Sequence, residues 1–141
     1  MAHTAQLKLE GRDYKLLECE YEFIQPIKEN GQPAGRPAGG LIHFTMEAPD
    51  DDTLVFHDWM QNATEYRNGQ IIFSVIDEAK PTTKTLHFKH AYCIRLCEYF
   101  SNGHSNPQEH RDSQMLTKIT ISAAEIAFGE KGSIVFKNDH K

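Results

Sequence analysis

Three cysteines are the first residues in the chain whose chemistry could define a site: Cys19, Cys93 and Cys97. Cys93 and Cys97 lie in a stretch with strand-like alternation, which would place their Cα atoms about 13 Å apart. A disulfide requires a separation below about 7 Å. The odd number and the wide spacing of the cysteines also disfavour a disulfide framework. We therefore expect reduced, half-buried thiols.

Eight histidines raise the possibility of a metal site. His87 and His90 differ in parity, so on one strand they would point to opposite faces and could not share an ion. His104 and His110 share a polar loop, but no cysteine or carboxylate is spaced around them as in a zinc site. The pattern predicts surface histidines and no bound metal.

Motifs for nucleophilic or nucleotide chemistry are also missing from the sequence. It contains no G-x-S-x-G elbow and no glycine-rich loop that follows a strand and opens a helix. The carboxylates, such as Asp77 and Glu78, are scattered in the manner of a solvated surface. The sequence predicts a binding or assembly protein that is not an enzyme and has no cofactor.

The composition suits one globular domain spanning residues 1–141, with 39% hydrophobic and 25% charged residues. A net charge of −5 weighs against nucleic-acid binding, which favours a basic surface. No apolar run approaches the roughly 20 residues that span a bilayer. The N-terminus lacks the apolar core of a cleaved signal peptide. We expect a protein that starts in the cytoplasm, with no membrane insertion, and that is exported by another route.

Residues 86–100 form the stretch around which the remaining elements are arranged. Its apolar residues alternate with mostly polar ones, as on a strand with one buried face. The apolar face comprises Leu86, Phe88, Tyr92, Ile94 and Leu96. The run is long for a strand, and long antiparallel strands are typical of barrels and twisted sandwiches. We interpret it as the central strand.

Shorter alternating runs predict the other strands. Residues 1–23 predict a hairpin with turn chemistry at residues 11–13 and a bulge after Leu16. Further strands are predicted at 42–48, 71–76, 116–128 and 133–136, with a turn at Asn68-Gly69 and a bulge or break before Ile126. The expected fold is mainly β, an antiparallel barrel or sandwich of about seven to eight strands.

One helix is predicted, around residues 53–62. Its apolar residues recur at a spacing of four, in the pairs Val55 with Trp59 and Phe56 with Met60. Asp51, Asp52 or Thr53 would cap its first turn, where acidic charge suits the helix dipole. We expect this helix to flank the barrel.

Residues 24–40 form an extended loop rich in proline and glycine, which neither a helix nor a central strand tolerates. A loop of this length is uncommon within a compact domain and is usually functional or mobile. Two interpretations remain open at this point. The loop is either a flexible hairpin tip or an arm that packs on a neighbouring subunit.

Several segments, taken in order, resemble the Hcp tube proteins of type VI secretion systems, and most closely the divergent TssD branch. The strongest are residues 88–93, 98–100, 105–107 and the strand at 116–129. Residues 5–14, 19–21, 35–37, 40–42 and 54–60 fit in the same order. The resemblance spans nearly the whole chain, and it rests on order and spacing together.

The resemblance implies a small β-barrel with a flanking helix, assembled into hexameric rings that stack into a hollow tube. It further implies that a contractile sheath propels the tube out of the cell behind a spike protein, with effector proteins carried in the lumen. No active site is implied. The loop residues expected to contact a neighbouring subunit are Asn30, Gly31, Gln32, Pro33, Gly35, Arg36 and Pro37.

A rival class fits the same strand pattern. Barrels of about eight strands can enclose a small ligand, so a monomeric carrier of an apolar ligand is the alternative function. The oligomeric state discriminates the two classes. The roles of the loop at 101–114 and of the C-terminal tail are not indicated by the sequence.

Overall fold

Seven strands and one helix make up the structure, a computed structural model that describes residues 2–48, 54–76, 82–101, 114–129 and 134–137. In chain order these elements are β1 (Ala2–Leu9), β2 (Arg12–Tyr21), β3 (Leu41–Glu47), α1 (Val55–Gln61), β4 (Arg67–Ile76), β5 (Thr82–Ser101), β6 (Gln114–Phe128) and β7 (Ile134–Lys137).

The strands pair in the order β3-β2-β1-β4-β5-β6-β7, and every pairing is antiparallel. An additional pairing between β3 and β6 closes the first six strands into a barrel. β7 is an extra strand beside the C-terminal end of β6, opposite residues 125–128. The predicted antiparallel barrel with one helix is confirmed.

Alternating side chains from all six barrel strands fill the interior. Because a strand exposes every second residue to one face, each strand contributes a row of apolar side chains to the core. The largest fully buried side chains on the strands are Leu7, Leu9, Ile42, Phe44, Met46, Ile71, Leu86, Phe88, Ile119, Ile121 and Ile126. Burial of this apolar surface is the main stabilising contribution to the fold.

The helix covers part of this core through two aromatic residues. Phe56 makes edge contacts with Tyr14 and Phe44, at centroid distances of 5.2 and 6.4 Å. Trp59 is buried and donates from Nε1 to the backbone oxygen of Ala91 at 3.2 Å. The helix begins after Leu54, which has a left-handed backbone conformation and whose side chain makes no capping hydrogen bond. The predicted caps at 51–53 lie outside the described residues.

Several predicted turns and bulges are shifted in the structure. The first hairpin turns at Glu10 and Gly11, both with positive φ, so residues 12 and 13 already belong to β2. The bulge after Leu16 is confirmed by a register shift between Leu16 and Glu18. The predicted turn at Asn68-Gly69 is wrong, because both residues lie in β4 at a register shift. A bulge, like a turn, favours Asn and Gly, which explains the confusion.

The predicted apolar face of β5 is only partly correct. Phe88 is buried, but after His90 the buried positions are Ala91 and Cys93, and Ile94 is 49% exposed. His90 has a φ of +51°, and this left-handed residue changes which side chains point inward. A further register shift follows between Cys93 and Arg95.

β6 changes its inward face at the same level as β5. Phe88 pairs with Ile126 and Ala91 with Ala123, and all four residues are buried. The expected parity shift before Ile126 is therefore real, yet β6 runs unbroken through it. The two strands shift together, so the register between them is unchanged at that point.

Candidate subunit-contact surfaces

The segment between β2 and β3 is an ordered, two-stranded projection, here called the arm (residues 22–39). Ile24 and Ala38 exchange two backbone hydrogen bonds of 2.8 and 2.6 Å. Further out, Ala34 donates to the backbone oxygen of Pro26 at 2.7 Å, and Lys28 donates to that of Gln32 at 2.8 Å. These bonds give the arm a defined shape.

The predicted contact residues occupy the tip and the returning limb of the arm, and every one of them is exposed. At the tip, Gly31 has a φ of +85° and donates to the backbone oxygen of Lys28 at 2.9 Å. The Asn30 side chain accepts from the backbone N–H of Gln32 at 3.0 Å. Pro33 forms a bridge with Ile27. Asn30, Gly31, Gln32, Pro33, Gly35, Arg36 and Pro37 thus share one continuous exposed surface.

Aromatic residues hold the base of the arm against the barrel. Phe23 contacts Tyr21, Phe128 and Phe136, with ring centroids 6.0, 6.0 and 4.9 Å away. Gly39 lies opposite Phe23, and a Cβ there would be only 2.7 Å from the Phe23 ring. The arm therefore leaves the barrel at a packed junction that fixes its direction.

The arm carries apolar side chains into solvent. Ile24 is 55% exposed and Ile27 is 70% exposed, although both belong to the ordered ladder. An ordered element that exposes large apolar side chains is typical of a protein-contact surface. Both isoleucines lie outside the buried core cluster.

A second exposed surface, here called the Tyr66 patch, comprises Tyr66, just before β4, and His90 and Tyr92 on β5. Glu65 precedes Tyr66 in the chain, and Asp58 lies on α1. The Tyr66 ring lies 4.4 Å from that of His90 and 6.2 Å from that of Tyr92. Tyr66 is 50% exposed, so one face of this aromatic group is available to a partner.

Arg67 fixes the acidic side of the Tyr66 patch. Its buried guanidinium pairs with Glu10 at 2.9 Å, Glu65 at 3.1 Å and Asp58 at 3.3 Å, and it lies 5.8 Å above the Trp59 ring. One cation is therefore shared by three carboxylates, and the cluster keeps a negative excess. The network ties the first hairpin, the helix and β4 together.

A groove of about 660 Å³ lies elsewhere on the sheet, where β1 begins and β2 ends. Its half-buried apolar lining includes Ala5, Cys19, Tyr21 and Phe73. The amine of Lys84 lies 5.6 Å from the centroid of the Tyr21 ring. This groove is the feature that a small-ligand carrier would use.

The cysteines are free thiols in the structure, as predicted. Burial raises the pKa of the Cys19 thiol to about 11 and that of the Cys93 thiol to about 11. Because the thiolate is the nucleophile, these two side chains stay protonated and unreactive near neutral pH. Neither has the electrostatic environment of a catalytic cysteine.

The histidines in the described ranges contact different partners. His43 hydrogen-bonds to Thr120 at 2.8 Å, His57 lies 3.2 Å from Glu98, and His87 lies 3.0 Å from the backbone oxygen of Gly129. Within the residues that the structure describes, no group of three metal-binding side chains comes together.

Sequence reasoning found the arm but missed the Tyr66 patch and the Arg67 network. The sequence predicted a turn at Asn68-Gly69 and no element at Tyr66 or Arg67, since the bulge hides the start of β4. The available signal was His90, a polar residue interrupting the apolar parity of a long strand. Such an interruption marks a change in backbone conformation, which here positions the ring beneath Tyr66.

Together, these features define a small closed antiparallel barrel with an ordered arm and an exposed aromatic patch. The family model for hemolysin coregulated protein Hcp (TssD) matches residues 1–140. The chain therefore belongs to the Hcp (TssD) family, the tube proteins of type VI secretion systems. No curated protein matches the sequence.

Solved structures agree with this assignment. Hcp1 from Flavobacterium johnsoniae is similar, with a TM-score of 0.74 and 27% identity over 96% of this chain and 99% of that chain. A crystal structure of an Hcp protein has a TM-score of 0.73 at 12% identity, covering 99% of each chain. Hcp1 from the E. coli EAEC 042 pathovar has a TM-score of 0.67 at 13% identity, covering 98% of this chain and 97% of that chain.

The family assignment identifies the chain as a tube subunit of a type VI secretion system, a structural and secreted protein. Within the described ranges, no helix is long and apolar enough to cross a membrane.

Proposed function

We propose that this tube subunit assembles into hexameric rings that stack into a hollow tube, and that the arm is a contact between neighbouring subunits. The observation that carries the proposal is the arm itself, an ordered ladder with Ile24 and Ile27 exposed. Covering these side chains on a neighbour would bury apolar surface that a monomer leaves in water.

The direction of the arm fits a ring. A head-to-tail contact, in which one surface binds a different surface, closes into a ring when its rotation closes. The arm leaves from β2 and β3, whereas the Tyr66 patch lies on β5 and just before β4. The number of subunits in the oligomer distinguishes a ring from a dimer in which two arms are exchanged.

The wider role follows from the family. In this proposal the tube is assembled in the cytoplasm, propelled outward by sheath contraction behind a spike protein, and carries effector proteins in its lumen. The chain is one domain over residues 1–141 and acts without catalysis, cofactor or metal.

Shortening the arm is the direct test of its role. Replacing residues 30–37 by a two-residue turn should lower the oligomer mass measured by light scattering, while far-UV circular dichroism still reports a folded barrel. The reason is that these residues are exposed and contribute nothing to the barrel core.

The matched control is Lys15→Ala, a change at an exposed residue of β2 outside the arm. This variant should assemble like the unmodified protein. An unchanged oligomer in the shortened variant would remove the arm from the subunit contact.

The groove of about 660 Å³ supports the rival function, a monomeric carrier of an apolar ligand. The two functions predict different behaviour. A carrier should be monomeric and gain thermal stability on binding its ligand, whereas a tube subunit should oligomerise without any ligand.

A further inference from the structure

The Tyr66 patch contains a residue with a strained backbone. His90 has a φ of +51° in the middle of β5, a conformation that is unfavourable for a non-glycine residue. The backbone N–H of His90 donates to the Asn68 side chain at 2.9 Å, which holds this conformation. The same residue carries the ring that stacks on Tyr66.

The chemistry of the patch selects a particular kind of partner. Exposed aromatic rings bind proline-rich extended segments, and they also attract an arginine guanidinium. Asp58 and Glu65 lie in the cluster where one Arg67 is shared by three carboxylates, so an incoming cation is favoured. Lys8 and Lys89 line a neighbouring groove together with Glu10 and Asp13.

The arm presents that chemistry. Every proline in the described part of the chain lies in the arm, at Pro26, Pro33 and Pro37. Arg36 is exposed between the last two, in a limb with extended backbone bridges at Pro33 and Ala38. A second copy of this chain therefore carries a ligand complementary to the patch.

We infer that the Tyr66 patch is the receptor for the arm of a neighbouring copy, with residues 33–37 across the aromatic rings and Arg36 over Tyr66. This inference rests on the proposed function and deepens it by naming the receptor. The arm leaves from β2 and β3, and the patch lies on β5 and just before β4, so one surface of the chain binds a different surface of its neighbour, as a head-to-tail ring requires. His90 and Asn68 act as positioning residues for the aromatic surface.

Site-directed crosslinking tests the contact. In a background with Cys19→Ser, Cys93→Ala and Cys97→Ser, the chain receives Arg36→Cys and Tyr66→Cys together and is treated with a short bismaleimide. We expect a covalent ladder of oligomers on a denaturing gel. Mixing protein that carries only Arg36→Cys with protein that carries only Tyr66→Cys should give a covalent dimer.

The control pairs Arg36→Cys with Leu17→Cys, because Leu17 is 48% exposed on β2, away from the patch. This pair should give no ladder. Two results would overturn the assignment of the patch as receptor while leaving the proposed function in place. One is an intact oligomer in which the Arg36→Cys and Tyr66→Cys pair gives no crosslinked ladder. The other is an equal ladder from the pair with Leu17→Cys. A protein that stays monomeric in light scattering would overturn both.

A second test measures assembly of variants that keep the three native cysteines. Tyr66→Ala should raise the subunit concentration needed for half-maximal assembly about tenfold, as expected for losing an aromatic contact. Tyr66→Phe keeps the ring and should assemble nearly as the unmodified protein does. Equal assembly by both variants and the unmodified chain contradicts the inference.

Discussion

Replacing Trp59 with alanine should lower the free energy of unfolding by about 3–5 kcal/mol, the range for a buried tryptophan or phenylalanine. Trp59 is 1% exposed, and its Nε1–H donates to the backbone oxygen of Ala91 at 3.2 Å. Alanine leaves a cavity beneath the helix and an unpaired buried carbonyl. It also removes the ring below the Arg67 guanidinium.

Urea unfolding measures this loss. Because Trp59 is the one tryptophan of the chain, unfolding of the variant is followed by far-UV circular dichroism. Trp59→Phe is the matched control, since it keeps an aromatic ring and loses the hydrogen bond, and it should cost about 1–2 kcal/mol. If Trp59→Ala were as stable as Trp59→Phe, the helix would not close the core.

Gly69→Ala should destabilise the barrel by about 1–3 kcal/mol, because the added methyl group overpacks the core and presses on a backbone oxygen. A Cβ at Gly69 would lie 2.5 Å from Cζ of Phe88 and 2.8 Å from the backbone oxygen of Lys8. Phe88 is buried on β5, and Lys8 lies on β1, so neither side has room to yield.

The midpoint of urea unfolding reports the effect, and Gly35→Ala serves as the control because its site is open. Adding Phe88→Leu to Gly69→Ala should recover part of the loss, since leucine frees the space that the ring occupies. A double variant whose destabilisation equals the sum of the two single changes would contradict the clash with Phe88.

The parts of the fold that periodicity controls were predictable. Alternation in residues 86–100 indicated a long strand, and the phase change after Leu16 indicated the bulge that the structure contains. The spacing of Val55 with Trp59 and of Phe56 with Met60 likewise indicated α1, in which Phe56 and Trp59 are buried. These signals are local, because each depends on which face of one element is buried.

Features that depend on contacts between strands or between distant residues could not be predicted from the pattern of one segment. Asn68 and Gly69 suit both a turn and a bulge, and only the neighbouring strands decide between them. The left-handed backbone of His90 shifts β5 and β6 together, which no single-strand pattern can show. The Arg67 network joins residues up to 57 positions apart in sequence, and periodicity contains no information about such contacts.

The arm was predictable from the sequence only in part. Its prolines and glycines excluded a helix and a central strand, and the resemblance to Hcp proteins indicated a subunit contact. The backbone ladder from Ile24 to Ala38 became visible only in the structure. In the proposed contact, this shape presents the proline-rich segment to the neighbouring chain.

Size-exclusion chromatography with multi-angle light scattering on the purified chain tests the central claim most directly. Each subunit has a mass of 16.1 kDa, and the ring predicts a species of about six times that mass in the absence of any ligand. A single 16.1 kDa species across the accessible concentration range would contradict ring assembly and would favour the ligand carrier.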